Sequence, residues 1–378
     1  MADEPNFKQM QKDRVRQLQT VMKEQGFGAL FLADGPNVRY VTNVKLPGGS
    51  VFVPREGEPI LYSRSRDRGY VDREYPNVRP ALRSGNATDD QTRKAARWAE
   101  DMKATMKEFG VAGENLGVDP LDVTSIHALA EMGIDVVDGR HALSTAKRVK
   151  TGDEIKCFRA MGHWYRDIME GFRKAVRPGV PETELAAVVH YEAVKKGAEE
   201  IFQLNVCAGE NMNPWRRWPS EREVEAEEFV GIDLHLIGPG GCWTDVSRTY
   251  YCGSNPTQEQ KDLYKTAYDY LQGVIALLKP GERIDSVVAR APKIPEKYRE
   301  LLDNYSIAHS DAMRPHEYPR IEKDKPVPDL LEPNMVFSVE TYFSEVGAKD
   351  TVKLEELVAV TKSGSEVLST GPFDERFI

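Results

Sequence analysis

The stretch GIDLHLIGPGGCWTDVSRTYYCG, residues 231–253, decides how this chain is read. Ile232, Leu234 and Leu236 alternate with Asp233 and His235. On a strand, successive side chains point to opposite faces, so the aliphatic residues share one face and Asp233 and His235 the other. The Gly238-Pro239-Gly240-Gly241 turn returns the chain, and Asp245 follows on the next strand. An odd-length loop, or a bulge that the glycines permit, sets Asp245 opposite His235. An acid on an otherwise aliphatic strand is the unusual feature. Burying an ionised carboxylate is costly unless it is paired or bound to a metal.

Further candidates lie downstream. His309 sits in SIAHSD, His316 in RPHEYP, Glu340 in FSVETYF and Glu355 in VKLEELVAVT. In the last segment Lys353 and Glu355 share a face, and Leu354 and Glu356 take the other. The pooled set is Asp233, His235, Asp245, His309, Glu340 and Glu355. Carboxylates and imidazoles on strands suit divalent cations that accept oxygen and nitrogen, namely Mn, Fe, Co or Zn. Clustered acids repel one another strongly without a cation among them. His127, His141, His163 and His190 lack such neighbours and read as ordinary core or surface histidines.

A faint internal echo supports the pooling. AVRPGVPETELAAVVH (175–190) and LLKPGERIDSVVARA (277–291) each read as a helix end, a Pro-Gly turn and a helix. Asp233 lies 55 residues after Pro178, and Glu340 lies 60 after Pro280. Both copies therefore deliver an acid on an apolar strand.

Earlier in the chain, α and β elements alternate. Asp13–Gln25 has helical charge spacing, and GFGALFLAD (26–34) contains a run of strand length. Asn37–Thr42 follows a Pro turn. Val51–Val53 and Ile60–Tyr62 read as strands, Ala95–Phe109 as a helix and Leu116–Asp119 as a strand. The boundary is expected near Lys147–Gly152, giving an α/β domain over 1–148 and a second domain over 149–378.

The chain has 378 residues and a net charge of -9, which argues against a basic nucleic-acid-binding face. No run approaches the ~18 apolar residues of a membrane helix. The charged start, MADEPNFKQMQKDRVRQ, does not read as a signal peptide. Cys157, Cys207, Cys242 and Cys252 form no CxxC pair and read as reduced thiols. A cytoplasmic protein is expected.

In the second half, the ordered set of acids and histidines resembles the pita-bread superfamily of aminopeptidase P, prolidase, methionine aminopeptidase, creatinase and dimethylsulfoniopropionate lyases. ALFLADGPNVRYVTNV (29–44) resembles, more loosely, the creatinase-type N-terminal domain. The resemblance implies an α+β chain, with a smaller α/β creatinase-type N-terminal domain and a C-terminal pita-bread fold. It also implies that Asp233, His235, Asp245, His309, Glu340 and Glu355 hold one or two divalent ions. His316, in His316-Glu317-Tyr318-Pro319, then contacts the substrate or intermediate.

Three departures shape the functional expectation. NMNPW (211–215) and DLHLIGPGG look most like the lyase branch, which has Asp where this chain has His235. Histidine binds a metal but cannot bridge two ions as a carboxylate does, so one tightly held ion is favoured. The peptidase histidine expected shortly after Asn211 is replaced by Trp215-Arg216-Arg217-Trp218. The lyase acid expected before the Glu-aromatic-Pro segment is His316.

The expectation is a metal-dependent hydrolase of a small, non-peptide substrate. Glu340 relays a proton, and His316 acts on the intermediate or leaving group. Trp215, Arg216, Arg217 and Trp218 line the mouth. The runner-up is a C–S lyase acting on dimethylsulfoniopropionate or a relative. A metal-free creatinase-like hydrolase and a non-catalytic binding module are the other rivals. A homodimer is implied by the resemblance alone.

Overall fold

The computed structural model describes residues 4–63, 67–80, 90–216, 218–300, 306–323, 325, 327–345 and 349–378. Two compact units emerge, Asn6–Lys147 and Arg148–Ile378. Among the described residues no helix is long and apolar enough to cross a membrane.

The first unit is built on a six-stranded mixed sheet. Its strands are β1 (Ala29–Leu32), β2 (Ser50–Pro54), β3 (Ile60–Ser63), β4 (Val78–Pro80), β5 (Leu116–Val118) and β6 (Val136–Asp138), ordered β4-β3-β2-β1-β5-β6. The helices are α1 (Phe7–Gln25), α2 (Gly35–Thr42), α3 (Arg68–Glu74), α4 (Gln91–Glu108), α5 (Val123–Glu131) and α6 (Arg140–Arg148). The Asn6 side chain caps α1 by accepting from the Gln9 N–H at 3.1 Å. Asn37–Thr42 belongs to a helix, α2, with Pro36 in its first turn, where a missing N–H costs nothing. Ala99, Met102 and Met106 of α4 pack on Phe31, Phe52 and Ile60 of the sheet.

The second unit opens with α7 (Gly152–Ala175), started by a reciprocal capping box between Thr151 and Glu154. Then come α8 (Glu182–Lys196), β7 (Glu200–Ala208), β8 (Glu228–Ile237), β9 (Trp243–Cys252), α9 (Gln258–Ile275) and α10 (Ile284–Arg290). The chain finishes with β10 (Tyr298–Glu300), β11 (Ser306–Ser310), β12 (Glu317–Glu322), β13 (Val336–Glu345), β14 (Thr351–Val360) and β15 (Ser365–Val367). One sheet is ordered β7-β8-β9; the other runs β12-β11-β13-β14-β15, with β10 also on β13. The echo in the sequence is visible here. Gly179 and Gly281 turn α7 into α8 and α9 into α10 with φ of +81° and +84°, a conformation that disfavours a side chain.

The two sheets meet where β9 lies alongside β14, tied through side chains. Thr249 Oγ1 donates to the Lys353 carbonyl at 2.8 Å and accepts from the Lys353 N–H at 3.0 Å. Fully buried Arg248 donates to the carbonyls of Ser247, Glu355 and Gly371 and to the Glu356 carboxylate. This seam brings the polar faces of β8, β9, β13 and β14 together.

Glu182, at the start of α8, anchors the loop carrying Trp215. Its fully buried carboxylate accepts from the Ala208 and Ser220 N–H groups, Asn211 Nδ2 and Ser220 Oγ, at 2.7–2.9 Å. Removing it strands several buried donors. Glu182→Ala is expected to lower stability by roughly 1.5–3 kcal/mol in denaturant unfolding. Glu182→Gln, which keeps an acceptor, is expected to lose less.

Candidate metal centre

Strand register assembles the centre. In the β8–β9 ladder His235 pairs with Asp245 and Asp233 with Ser247, without a bulge. The loop between the strands has five residues, so the odd-length alternative is the one adopted. In the β13–β14 ladder Glu340 stands opposite Glu355, and Tyr342 opposite Lys353. His309 comes from β11, which lies against β13.

All six pooled residues converge and are buried, three of them at 2% exposure or less: Asp245, His309 and Glu355. Asp245 Oδ2 is 3.3 Å from His235 Nδ1 and 3.8 Å from His309 Nε2. His309 Nε2 is also 3.6 Å from Glu355 Oε1 and 3.9 Å from Glu340 Oε1. The His316 ring stacks on His309 at a centroid distance of 4.2 Å, with part of its surface exposed and φ at +55°.

Four side chains at the centre were not singled out as site residues in the sequence. Lys353 extends its ammonium into the acids, 3.0 Å from Asp233 Oδ1, 3.1 Å from Glu355 Oε2 and 3.4 Å from Glu340 Oε2. Ser247 Oγ lies 2.5 Å from Asp233 Oδ1 and 2.8 Å from Glu355 Oε2. Asn205 Nδ2 donates to Asp233 Oδ2 at 2.9 Å. Asp311 holds His309 Nδ1 at 2.9 Å, which leaves Nε2 facing the acids. Period two would have found three of them: Ser247 is two residues beyond Asp245, Lys353 two before Glu355 and Asp311 two beyond His309.

Trp215 lies edge-on to Tyr342 at 5.4 Å, so it adjoins the end of the centre marked by Lys353. Gly231 permits this close approach, since a Cβ there would meet the Trp215 ring at 2.9 Å. Arg216 and Trp218 are exposed, Trp218 by 69%. Arg217 lies outside the described residues.

The electrostatics show a nest built around positive charge. Burial favours the neutral amine of Lys353, but Asp233, Glu355 and Glu340 outweigh it and hold its pKa well above the ordinary value. Burial pushes Glu355 up, but Lys353 and His309 bring it down to about 2. Burial, then Glu355 and Asp233, push Asp245 well above the usual carboxylate range. Burial also raises Glu340, against the pull of Lys353. Burial alone would lower His309, yet Asp311, Glu355 and Glu340 raise it to about 10.

The polar atoms left over fit a divalent ion. His235 Nδ1, Asp245 Oδ1, His309 Nε2 and Glu355 Oε1 are buried and make no hydrogen bond. Unpaired buried polar atoms are costly, and two imidazole nitrogens with carboxylate oxygens match Mn, Fe, Co or Zn. The Asp311–His309 pair is the arrangement that orients a metal-binding imidazole. Three overlapping groups of side chains here have ligand atoms close enough to share an ion: Asp233-His235-Asp245, His309-Glu340-Glu355 and Asp245-His309-His316.

Residues 156–362 match the model of metallopeptidase family M24, and residues 14–143 match the creatinase/prolidase N-terminal domain. The chain belongs to metallopeptidase family M24. Its fold is the pita-bread fold with a creatinase-like N-terminal domain, as the resemblance implied. Prolidase from Pyrococcus horikoshii is similar at a TM-score of 0.79, with 21% identity over 97% of this chain and 99% of that one. Xaa-Pro dipeptidase from Bacillus anthracis is similar at 0.80, with 20% identity over 96% and 99%. Dimethylsulfoniopropionate lyase DddP from Roseovarius nubinhibens is 25% identical over 401 aligned residues, covering 98% of this chain and 88% of the lyase. At the level of the family, the chain is a metal-dependent, metallopeptidase-like hydrolase.

Proposed function

We propose that this protein is a metal-dependent hydrolase acting on a small, non-peptide substrate, with its ion held among Asp233, His235, Asp245, His309, Glu340 and Glu355. The observation that carries the reading is the convergence of four unpaired buried ligand atoms inside a nest of acids. A non-catalytic binding module has no physical need of such a nest, and a metal-free hydrolase would leave these atoms unsatisfied. When bound, the ion supplies Lewis acidity, lowering the pKa of water and polarising a carbonyl.

The chain's own groups do the remaining work. Glu340, raised by burial, takes and returns a proton. His316 is kept neutral above all by desolvation, and serves the intermediate or leaving group from its partly exposed position. Exposed Arg216 pairs with a substrate carboxylate and Trp218 stacks on a cationic group, with Trp215 at the mouth beside them. Residues 149–378 form the catalytic domain, residues 1–148 the creatinase-like one, and a cytosolic homodimer is the proposed assembly.

A small substrate is supported by the Trp-Arg-Arg-Trp segment standing where the family's peptidases are expected to carry a histidine. The test is a panel of small amides, betaines and sulfonium compounds, assayed with Mn, Fe, Co and Zn in turn. Turnover of a small amide supports the proposal; hydrolysis of Xaa-Pro dipeptides alone contradicts it. A second reading, C–S lyase activity, is favoured by the similarity to DddP along 98% of the chain. Dimethyl sulfide released from dimethylsulfoniopropionate would establish it instead.

His316→Ala is expected to lower turnover by roughly 10²–10⁴ while retaining the metal, as for loss of a general acid or base. Turnover and metal content measured on one preparation check this. Loss of the metal along with activity would make His316 a ligand.

A further inference from the structure

We infer that the Lys353 ammonium is a built-in cation occupying the place of a second metal ion, so that the nest binds a single divalent ion on its His235, Asp245 and His309 side. The inference rests on the proposed metal centre and deepens it. The carboxylate oxygens divide into two sets. Asp233 Oδ1, Glu340 Oε2 and Glu355 Oε2 surround Lys353 Nζ at 3.0–3.4 Å, and Ser247 Oγ accepts from it at 2.7 Å. The ammonium has three donors, so these four oxygens saturate it. Asp233 Oδ2 is taken by Asn205. Asp233 Oδ1 is thereby committed to the lysine, while Oδ2, 3.5 Å from His235 Nε2, stays beside the ligand set.

The other set is free of hydrogen bonds. Glu355 Oε1 points away from the lysine, 3.6 Å from His309 Nε2, and Asp245 Oδ1 and His235 Nδ1 are unpaired. Glu340 Oε1 lies on the same side, 3.9 Å from His309 Nε2. Glu340 and Glu355 therefore each give one oxygen to Lys353 and the other to the ligand set. A second ion would have to claim the three oxygens around Nζ and leave a buried ammonium without partners, which is strongly unfavourable. His235 acts in the same direction, since an imidazole cannot bridge two ions.

The test counts ions on the full chain. Metal-free protein is titrated calorimetrically with Mn²⁺ and, separately, Zn²⁺; retained metal is measured after desalting, and the Mn²⁺ form is examined by electron paramagnetic resonance. The wild type is expected to hold one ion per chain and to give the spectrum of an isolated Mn²⁺. Lys353→Ser, which removes the charge and opens the space, is expected to hold two ions and show a coupled pair. Lys353→Arg, which keeps the charge, is expected to remain at one. Two ions or a coupled spectrum in the wild type would overturn the inference, as would a single ion in a folded Lys353→Ser. The wild-type spectrum decides the matter even if that variant does not fold. A wild type that binds neither metal would instead sink the metal centre, and this inference with it.

Discussion

His309→Ala is expected to cost metal affinity by more than the roughly 10–100-fold typical of losing an outer-shell partner, because it removes a ligand atom. Nε2 is the atom that Asp245, Glu340 and Glu355 all face at 3.6–3.9 Å. Activity should fall with the metal. The same residue sets a pH dependence. Its pKa of about 10 means that the metal-free nest carries an imidazolium at neutral pH, and binding an ion expels that proton. Wild-type affinity should therefore rise by about tenfold per pH unit below that value, with proton release visible in buffers of different ionisation enthalpy. His309→Ala should lose this component of the slope. An affinity unchanged in the variant would remove His309 from the ligand set.

Arg248→Ala should be the most damaging stability variant, by roughly 3–5 kcal/mol, the cost of breaking a buried ion pair from one side. Arg248 is fully buried, contacts Glu356 at 2.9 Å, spans the seam between β9 and β14, and stacks on Phe373 at 4.0 Å. Without it, Glu356 is a buried carboxylate with no cation. Burial already raises the pKa of Glu356 even though Arg248 pulls it down, so the variant raises it further. A carboxyl whose folded pKa is raised binds more protons folded than unfolded, and its stability contribution is lost as pH rises through that folded value. The deficit should thus be smaller near about pH 5 than near about pH 8 in denaturant unfolding. A deficit independent of pH would mean that Glu356 is not left ionised and unpaired.

Much of this centre was legible because strands state their faces in the sequence. Asp233 and His235 are placed on one face by their alternation with Ile232, Leu234 and Leu236, and the structure keeps that alternation. The five-residue loop left two routes open for Asp245, and only the ladder shows that no bulge intervenes. Lys353 was placed on the same face as Glu355, but its reach into the acids depends on how β14 packs beside β9. That contact between distant segments rests on side-chain bonds from Thr249 and Arg248, for which one strand's periodicity carries no signal. Asn37–Thr42 was legible only as a segment after a Pro turn; with Pro36 in the first turn and Val38, Tyr40 and Val41 buried, it is a helix. The edge-on packing of Trp215 against Tyr342 had no signal in the sequence, because it depends on the room that Gly231 leaves for the ring.

The most direct measurement is a crystal grown with Mn²⁺ and examined by anomalous scattering. A strong anomalous peak is expected within roughly 2.0–2.3 Å of His309 Nε2 and of carboxylate oxygens from Asp245 and Glu355. Density absent from that position, or an ion bound only elsewhere on the chain, would contradict the proposed metal centre.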